Sequence, residues 1–359
     1  MVGTAFGHSK LKTSAMALLE FTDKGIYCPQ AQVHLDPWKP VRRALITHGH
    51  SDHARWGNDY YLCSTAAAPV IRHRIPEAIV ETVDYNKSVV INGVQFSFHP
   101  AGHIPGSAQI RVEFNGEVWV FSGDYKLEAD NLSEPFEPLK CHAFITESTF
   151  GLPVYNWKTQ SSVFNDINGW WRKNQDEGKV SVIAGYTLGK SQRILRNIDS
   201  SIGKIFVHGA VDSINNVLRS QGIALPLTYR VTKETSKKDY NGALVVCPPS
   251  AVGSPWIRRF LPYSLGIASG WMKLRGARRR RGADRGFVLS DHADWKDLNI
   301  AIKETGAEKI FVTHGYTEIF AQWLNENGLE AREVKTQYEG ELGEMVESSI
   351  ANEGVSQEE

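Results

Sequence analysis

The chain has 359 residues, enough for about two domains, and its 42% hydrophobic and 22% charged content is that of an ordinary globular protein. Its 40 basic and 40 acidic side chains cancel, so net charge alone gives no pull toward a polyanion, and any such pull must come from how the charge is distributed. No apolar stretch approaches the ~18 residues of a membrane span, and residues 1–14 lack the apolar core of a secretory signal. Cys28, Cys63, Cys141 and Cys247 are scattered and form no CxxC pair, so buried, reduced thiols in a cytoplasmic protein are expected.

In chain order, the first strong signal is the apolar run Ala44-Leu45-Ile46-Thr47, which reads as a buried strand. It leads into His48-Gly49-His50-Ser51-Asp52-His53, three imidazoles and a carboxylate in six positions. Residues two apart on an extended chain point to one side, so His48 and His50 can share a metal ion. The chain then turns, and Asp52 and His53 can face a second ion. Neutral imidazole with carboxylate suits Zn²⁺ or a similar divalent ion. Four later strand-like runs offer more ligands. Phe96-Ser97-Phe98 leads toward His103, Val118-Trp119-Val120-Phe121 toward Asp124, Ala143-Phe144-Ile145-Thr146 into Glu147, and Ile310-Phe311-Val312-Thr313 into His314. Functional groups in open α/β sheets gather beyond strand ends. Residues 156–286 read as an α/β unit of their own, strand-like at 180–184, 205–207 and 243–246 and helix-like at 191–196 and 213–218.

Together these residues resemble the metallo-β-lactamase superfamily, through Asp36 in His34-Leu35-Asp36-Pro37, the His48–His53 loop, His103 and Asp124. Three further matches resemble its β-CASP nucleases: Glu147 in Glu147-Ser148-Thr149-Phe150-Gly151, His292 in Ser290-Asp291-His292-Ala293-Asp294, and His314. The run from Leu19-Glu20-Phe21-Thr22 to His53-Ala54-Arg55 looks like the bacterial ligase-associated DNA exonucleases. The similarity covers roughly residues 17–340. It implies an α/β protein with a four-layer αββα fold and an inserted α/β cap. Because His292 and His314 lie far downstream, the metal-bearing fold would occupy residues 1–155, be interrupted by a cap at 156–286, and resume over 287–340. An acidic tail at 341–359 would follow, with six glutamates and no base.

The resemblance also implies two divalent ions, Zn²⁺ and/or Mn²⁺. One would be held by His48, His50, His103 and Asp124, the other by Asp52, His53, His314 and the shared Asp124. Asp36 would hold the ligand loop from behind and set a histidine tautomer. Water activated by ions about 3.5–4 Å apart would attack phosphorus. His292 would protonate the leaving oxygen, oriented by Glu147.

Between Arg258 and Arg285 there are nine basic residues and one acidic, including Arg278-Arg279-Arg280-Arg281. This run is expected to contact phosphate, with Lys190 and Ser148 as further substrate contacts. Gly185-Tyr186-Thr187-Leu188-Gly189-Lys190-Ser191 falls one residue short of a P-loop and reads instead as the turn into the cap's first helix. His8, His73, His99, His142 and His208 have no ligand partner in sequence and read as surface or ordinary core residues, with His208, between a cap strand and Asp212-Ser213, as a lesser candidate for substrate contact. Trp170-Trp171 could stack a base, with Trp56, Trp256 and Trp271 as lesser candidates. The resulting expectation is a two-metal phosphodiesterase that degrades DNA, an exonuclease acting on single strands or ends. It would work in repair, in functional company with a DNA ligase and helicase. The alternative is an RNA nuclease of the mRNA-processing or RNA-decay type, since a histidine at the third β-CASP motif is typical of RNA-processing members. A small-molecule hydrolase would leave Glu147 and His292 unexplained, and a non-catalytic subunit would not keep the full ligand set.

Overall fold

A computed structural model describes residues 17–274, 276 and 282–338. The arginines 278–281, His8 and the acidic tail at 341–359 lie outside the described residues.

The first sheet has the order β1 (Glu20–Phe21), β2 (Ile26–Cys28), β3 (Val33–Leu35), β4 (Arg43–Ile46), β5 (Tyr60–Ser64) and β6 (Val80–Val83). Its hairpin strands pair antiparallel, and β3 to β6 run parallel. The second sheet begins with an antiparallel meander, β7 (Ser88–Ile91), β8 (Val94–Pro100), β9 (Ala108–Phe114) and β10 (Glu117–Phe121). It continues through parallel β11 (Ala143–Ser148), β18 (Lys309–Gly315) and β19 (Glu330–Glu333).

Period-2 alternation lets these strands bury both faces. Trp119 and Phe121 of β10 join Leu45 of β4 and Phe96, Phe98 and Ile145 in the core between the two sheets. Val118 and Val120 face the other way, onto helices 295–305 and 317–326 through Leu298, Ile302, Phe320 and Leu324. On the far side of the first sheet, Ala44 and Ile46 pack on helix α1 (Ala68–Arg74) through Ala68 and Ile71. Helix, sheet, sheet and helix thus form four layers, the αββα arrangement expected.

Between β11 and β18 the chain builds a third sheet, all parallel, in the order β14 (Tyr229–Arg230), β13 (Ile205–Val207), β15 (Leu244–Cys247), β12 (Val180–Ala184), β16 (Tyr263–Ala268), β17 (Arg285–Phe287). Both faces are covered, as a parallel sheet requires. Ile183, Leu244 and Val246 meet helix α2 (Gln160–Asp176) through Phe164 and Trp171, while Val182, Val245 and Cys247 face a second core with Tyr240 and Phe260. The near-P-loop turn opens helix α3 (Lys190–Asn197), which is the second helix of this unit rather than its first, because α2 precedes it. Leu188, and Ile214 and Leu218 of helix α4 (Gly209–Ser220), pack on Val70 and Ile104 and join the third sheet to the metal loop's neighbourhood. All four cysteines are buried free thiols. Among the described residues no helix is long and apolar enough to cross a membrane.

Candidate metal centre

The residues singled out as ligands arrive from the ends of four strands, β4, β8, β10 and β18. Just past strand β3, Asp36 takes a left-handed conformation (φ 38°) that turns the carboxylate back over the end of β4. One Asp36 oxygen accepts from the Thr47 amide (2.8 Å), and the other from His53 Nδ1 (2.7 Å) and the Thr47 hydroxyl. Beyond Thr47 the chain makes one helical turn, with the Ala54 amide on the His50 carbonyl (2.8 Å), and this swings Asp52 and His53 away from His48 and His50. His103 follows β8 through Gly102 (φ 76°), where a Cβ would sit 2.1 Å from the Lys126 carbonyl, so only glycine permits this approach.

Each of three histidines has one nitrogen committed behind it. His50 Nε2 meets the Leu188 carbonyl (3.2 Å) and His103 Nδ1 the Asp291 carbonyl (2.9 Å). His48 Nδ1 meets the Thr47 hydroxyl (3.0 Å), whose own proton goes to Asp36. Carbonyls only accept, so these nitrogens carry the protons and the opposite nitrogens present lone pairs. Those lone pairs converge: His48 Nε2 and His50 Nδ1 are 3.2 Å apart, and His103 Nε2 and His50 Nδ1 3.1 Å. Asp124 Oδ2 completes the group, 3.6 Å from His48 Nε2 and 3.8 Å from His103 Nε2. Atoms ~2.0–2.1 Å from a tetrahedral Zn²⁺ lie about 3.3 Å from one another. The four residues therefore form a cluster compatible with a divalent metal.

A second cluster shares Asp124. His53 Nε2 makes no hydrogen bond although fully buried, and lies 3.5 Å from Asp124 Oδ2 and 3.7 Å from Asp52 Oδ2. His314 Nε2 is 2.6 Å from Asp124 Oδ1. His53, Asp124 and His314 are close enough to hold one ion, and Asp52 Oδ2 stands beside the group at His53 Nε2. Burial and then the neighbouring imidazoles hold His48 and His103 well below the ordinary histidine value, the neutral state a ligand needs. Burial opposes the charges of His53 and Asp124 too. There Asp52 and Asp124 raise His53 well above its usual value, and His53 and His314 hold Asp124 well below its own.

Beside these clusters His292 Nδ1 meets both oxygens of Glu147, at 2.9 and 3.1 Å, and Glu147 also accepts from the Tyr125 amide (2.8 Å). His292 Nδ1 lies 4.0 Å from Asp124 Oδ2, and its ring packs on His103 with centroids 4.7 Å apart.

Two anticipated substrate contacts are placed differently. Ser148 is fully buried and donates to the Thr313 and His314 carbonyls (3.1 and 2.7 Å), so it joins β11 to the His314 strand instead of facing solvent. Lys190 is also fully buried, its ammonium 3.3 Å from Asp291 Oδ2. It is held by a carboxylate it would have to leave to reach phosphate. Of the lesser candidates, His208 caps α4 by accepting from the Ala210 amide, and Trp171 is buried with its indole on the Gly242 carbonyl. His73, His99 and His142 bond Ser213, Ser97 and the Val118 amide.

The structure adds residues that the sequence did not single out. Tyr338 stacks flat on His53 (centroids 4.6 Å, 4°) and donates to the Asp36 carbonyl (2.9 Å). Arg193, fully buried, bonds Asp130 (2.9 Å) and lies 3.0 Å from Asp291 Oδ1, and with Lys190 it fixes the Asp291–His292 turn to α3. Tyr338 had no motif around it, and a buried Arg–Asp pair looks like any surface pair until the chain is folded.

Asp36→Asn replaces an acceptor-only carboxylate with an amide that cannot serve Thr47 and His53 together. Metal affinity, measured by competition with a chelator, is expected to fall about 10- to 100-fold, the usual cost of removing such a partner.

Comparison with known proteins agrees with this geometry. Residues 23–164 match the family described as the metallo-beta-lactamase superfamily. A protein of Opitutus terrae named "Probable DNA ligase" is 34% identical over 323 residues, covering 89% of this chain but 31% of its own length. "Endoribonuclease YSH1" of Yarrowia lipolytica is 31% identical over 122 residues, 33% of this chain and 14% of its own. The chain thus spans less than a third of either relative. A solved structure of a protein of unknown function from Enterococcus faecalis V583 superposes with a TM-score of 0.59 over 82% of this chain and 79% of its own, at 11% identity, a likeness of fold. With the αββα layers and the His/Asp cluster at the sheet ends, the match over residues 23–164 marks a metallo-β-lactamase superfamily domain in this chain.

Proposed function

We propose that the protein is a two-metal phosphodiester hydrolase that degrades DNA, an exonuclease whose cap is the third-sheet unit at 156–286. The observation that carries this reading is the His292–Glu147 pair beside the shared Asp124, because generic metal hydrolysis has no use for it. The metal ligands are His48, His50, His103 and Asp124 for one ion, and Asp52, His53, His314 and Asp124 for the other. When bound, Zn²⁺ or Mn²⁺ would lower the pKa of water and stabilise charge on the phosphoryl oxygens.

The chain's own residues do the rest. Asp36, Thr47 and the carbonyls of Leu188 and Asp291 hold the imidazoles in the ligand tautomer. Glu147, steadied by the Tyr125 amide, takes His292 Nδ1–H, so that Nε2 is the nitrogen that delivers a proton to the departing sugar oxygen. The likeness to a ligase-named protein over 89% of the chain favours DNA and a place beside ligation in repair. His314 and the likeness to an endoribonuclease over 33% of the chain favour the second reading, an RNA nuclease. Digestion of single- and double-stranded DNA and RNA, labelled at either end, across several divalent metals tests both. Mononucleotide release from DNA alone is expected, and RNA-only or internal cleavage would overturn the first reading.

Replacing Arg278, Arg279, Arg280 and Arg281 with alanine is expected to weaken DNA binding and flatten its salt dependence. Each lost phosphate contact removes about 0.7–0.9 from the log–log slope. An unchanged slope would make the run a solvated loop.

A further inference from the structure

The residues of the cluster are all buried, but not equally. His50 and His314 keep 6% of their surface and Asp52 4%, while His48, His53, His103 and Asp124 keep 2% or less. Beside the metal loop lies a groove of about 810 Å³ whose wall includes Ser51 and Ala54, the residues flanking Asp52 and His53. Two guanidinium groups of this groove rest on the same loop: Arg55 donates to the Asp52 carbonyl (3.3 Å) and Arg74 to the Gly49 carbonyl (2.7 Å). Lys39, whose ammonium lies 3.1 Å from the exposed Asp23, adds a third base, against the single acid Glu77 in the lining.

Trp56 stands in this groove with 81% of its surface exposed, the most exposed large apolar side chain among the described residues. The chain turns immediately after it at Gly57 (φ 95°), where a Cβ would come 3.2 Å from Pro40, so the turn directs the chain away and leaves the indole in water. An unburied indole amid cations, three residues after a metal-cluster histidine, has the chemistry of a stacking platform with an electrostatic rail. Bases inside a duplex are already stacked on both faces, whereas each base of a single strand can offer a π-face to such a ring.

Resting on the nuclease reading above, we infer that this groove binds a single-stranded polynucleotide as it approaches the metal centre, with Trp56 stacking one base and Arg55, Arg74 and Lys39 following its phosphates. Sugar identity plays no part in stacking, so DNA and RNA strands share this chemistry and are separate arms of the test.

The test uses the full metal-loaded chain and phosphorothioate oligomers that resist cleavage, one DNA and one RNA, with binding read by fluorescence anisotropy. Trp56→Ala is expected to weaken single-strand binding roughly tenfold, with Trp56→Phe recovering most of it and metal content staying at the wild-type level. On the wild-type protein, photocross-linking of oligomers carrying 5-iodouracil is expected to label the peptide containing Trp56, a readout that needs no variant to fold. If the wild-type protein binds and cuts strands, yet cross-links elsewhere and tolerates Trp56→Ala without loss, the groove assignment falls and the nuclease reading stands. If it neither binds nor cuts any strand, the nuclease reading falls and takes this assignment with it.

Discussion

Asp124→Ala is expected to abolish hydrolysis and to reduce bound metal from two ions per chain to one or none. Its two oxygens face both clusters: Oδ2 lies 3.6 and 3.8 Å from His48 and His103 and 3.5 Å from His53, and Oδ1 lies 2.6 Å from His314. Among the described residues no other side chain belongs to both groups. Its loss leaves one group with three imidazoles and the other with His53, His314 and the more distant Asp52. A divalent ion held by fewer ligands is released more readily. Elemental analysis and activity would be read on the same sample. Wild-type activity in a variant with one ion or none would rule out the two-ion arrangement.

His292→Ala is expected to retain metal and DNA affinity while losing about 10²–10⁴ in rate, the usual span of general-acid catalysis. It is not among the residues assigned to either ion, and its Nδ1 is committed to Glu147. The loss should shrink on an ester with a good leaving group such as p-nitrophenolate, which departs with little help from a proton. Glu147→Gln should give a milder form of the same defect, because a carboxamide oxygen can still accept from Nδ1–H but no longer supplies a charge. An equal rate loss on DNA and on the activated ester would assign His292 to binding or support instead of proton donation.

The chemistry of the site was legible in the chain because side-chain type is a property of sequence. Three imidazoles and a carboxylate in His48–His53, each later ligand after an apolar run, and alternation such as Trp119 and Phe121 against Val118 and Val120 all survive without coordinates. The partners that tune those ligands were not legible. The carbonyls of Leu188 and Asp291 fix the tautomers of His50 and His103 across 138 and 188 residues of chain, and every residue carries a carbonyl. Tertiary structure alone decided that Tyr338 stacks on His53 and that Lys190 and Arg193 are buried against Asp291. It also placed Ser148 between strands. Sequence determines which groups are available, whereas burial and long-range pairing depend on how the sheets and the intervening unit pack, and that packing selects among polar groups that look alike along the chain.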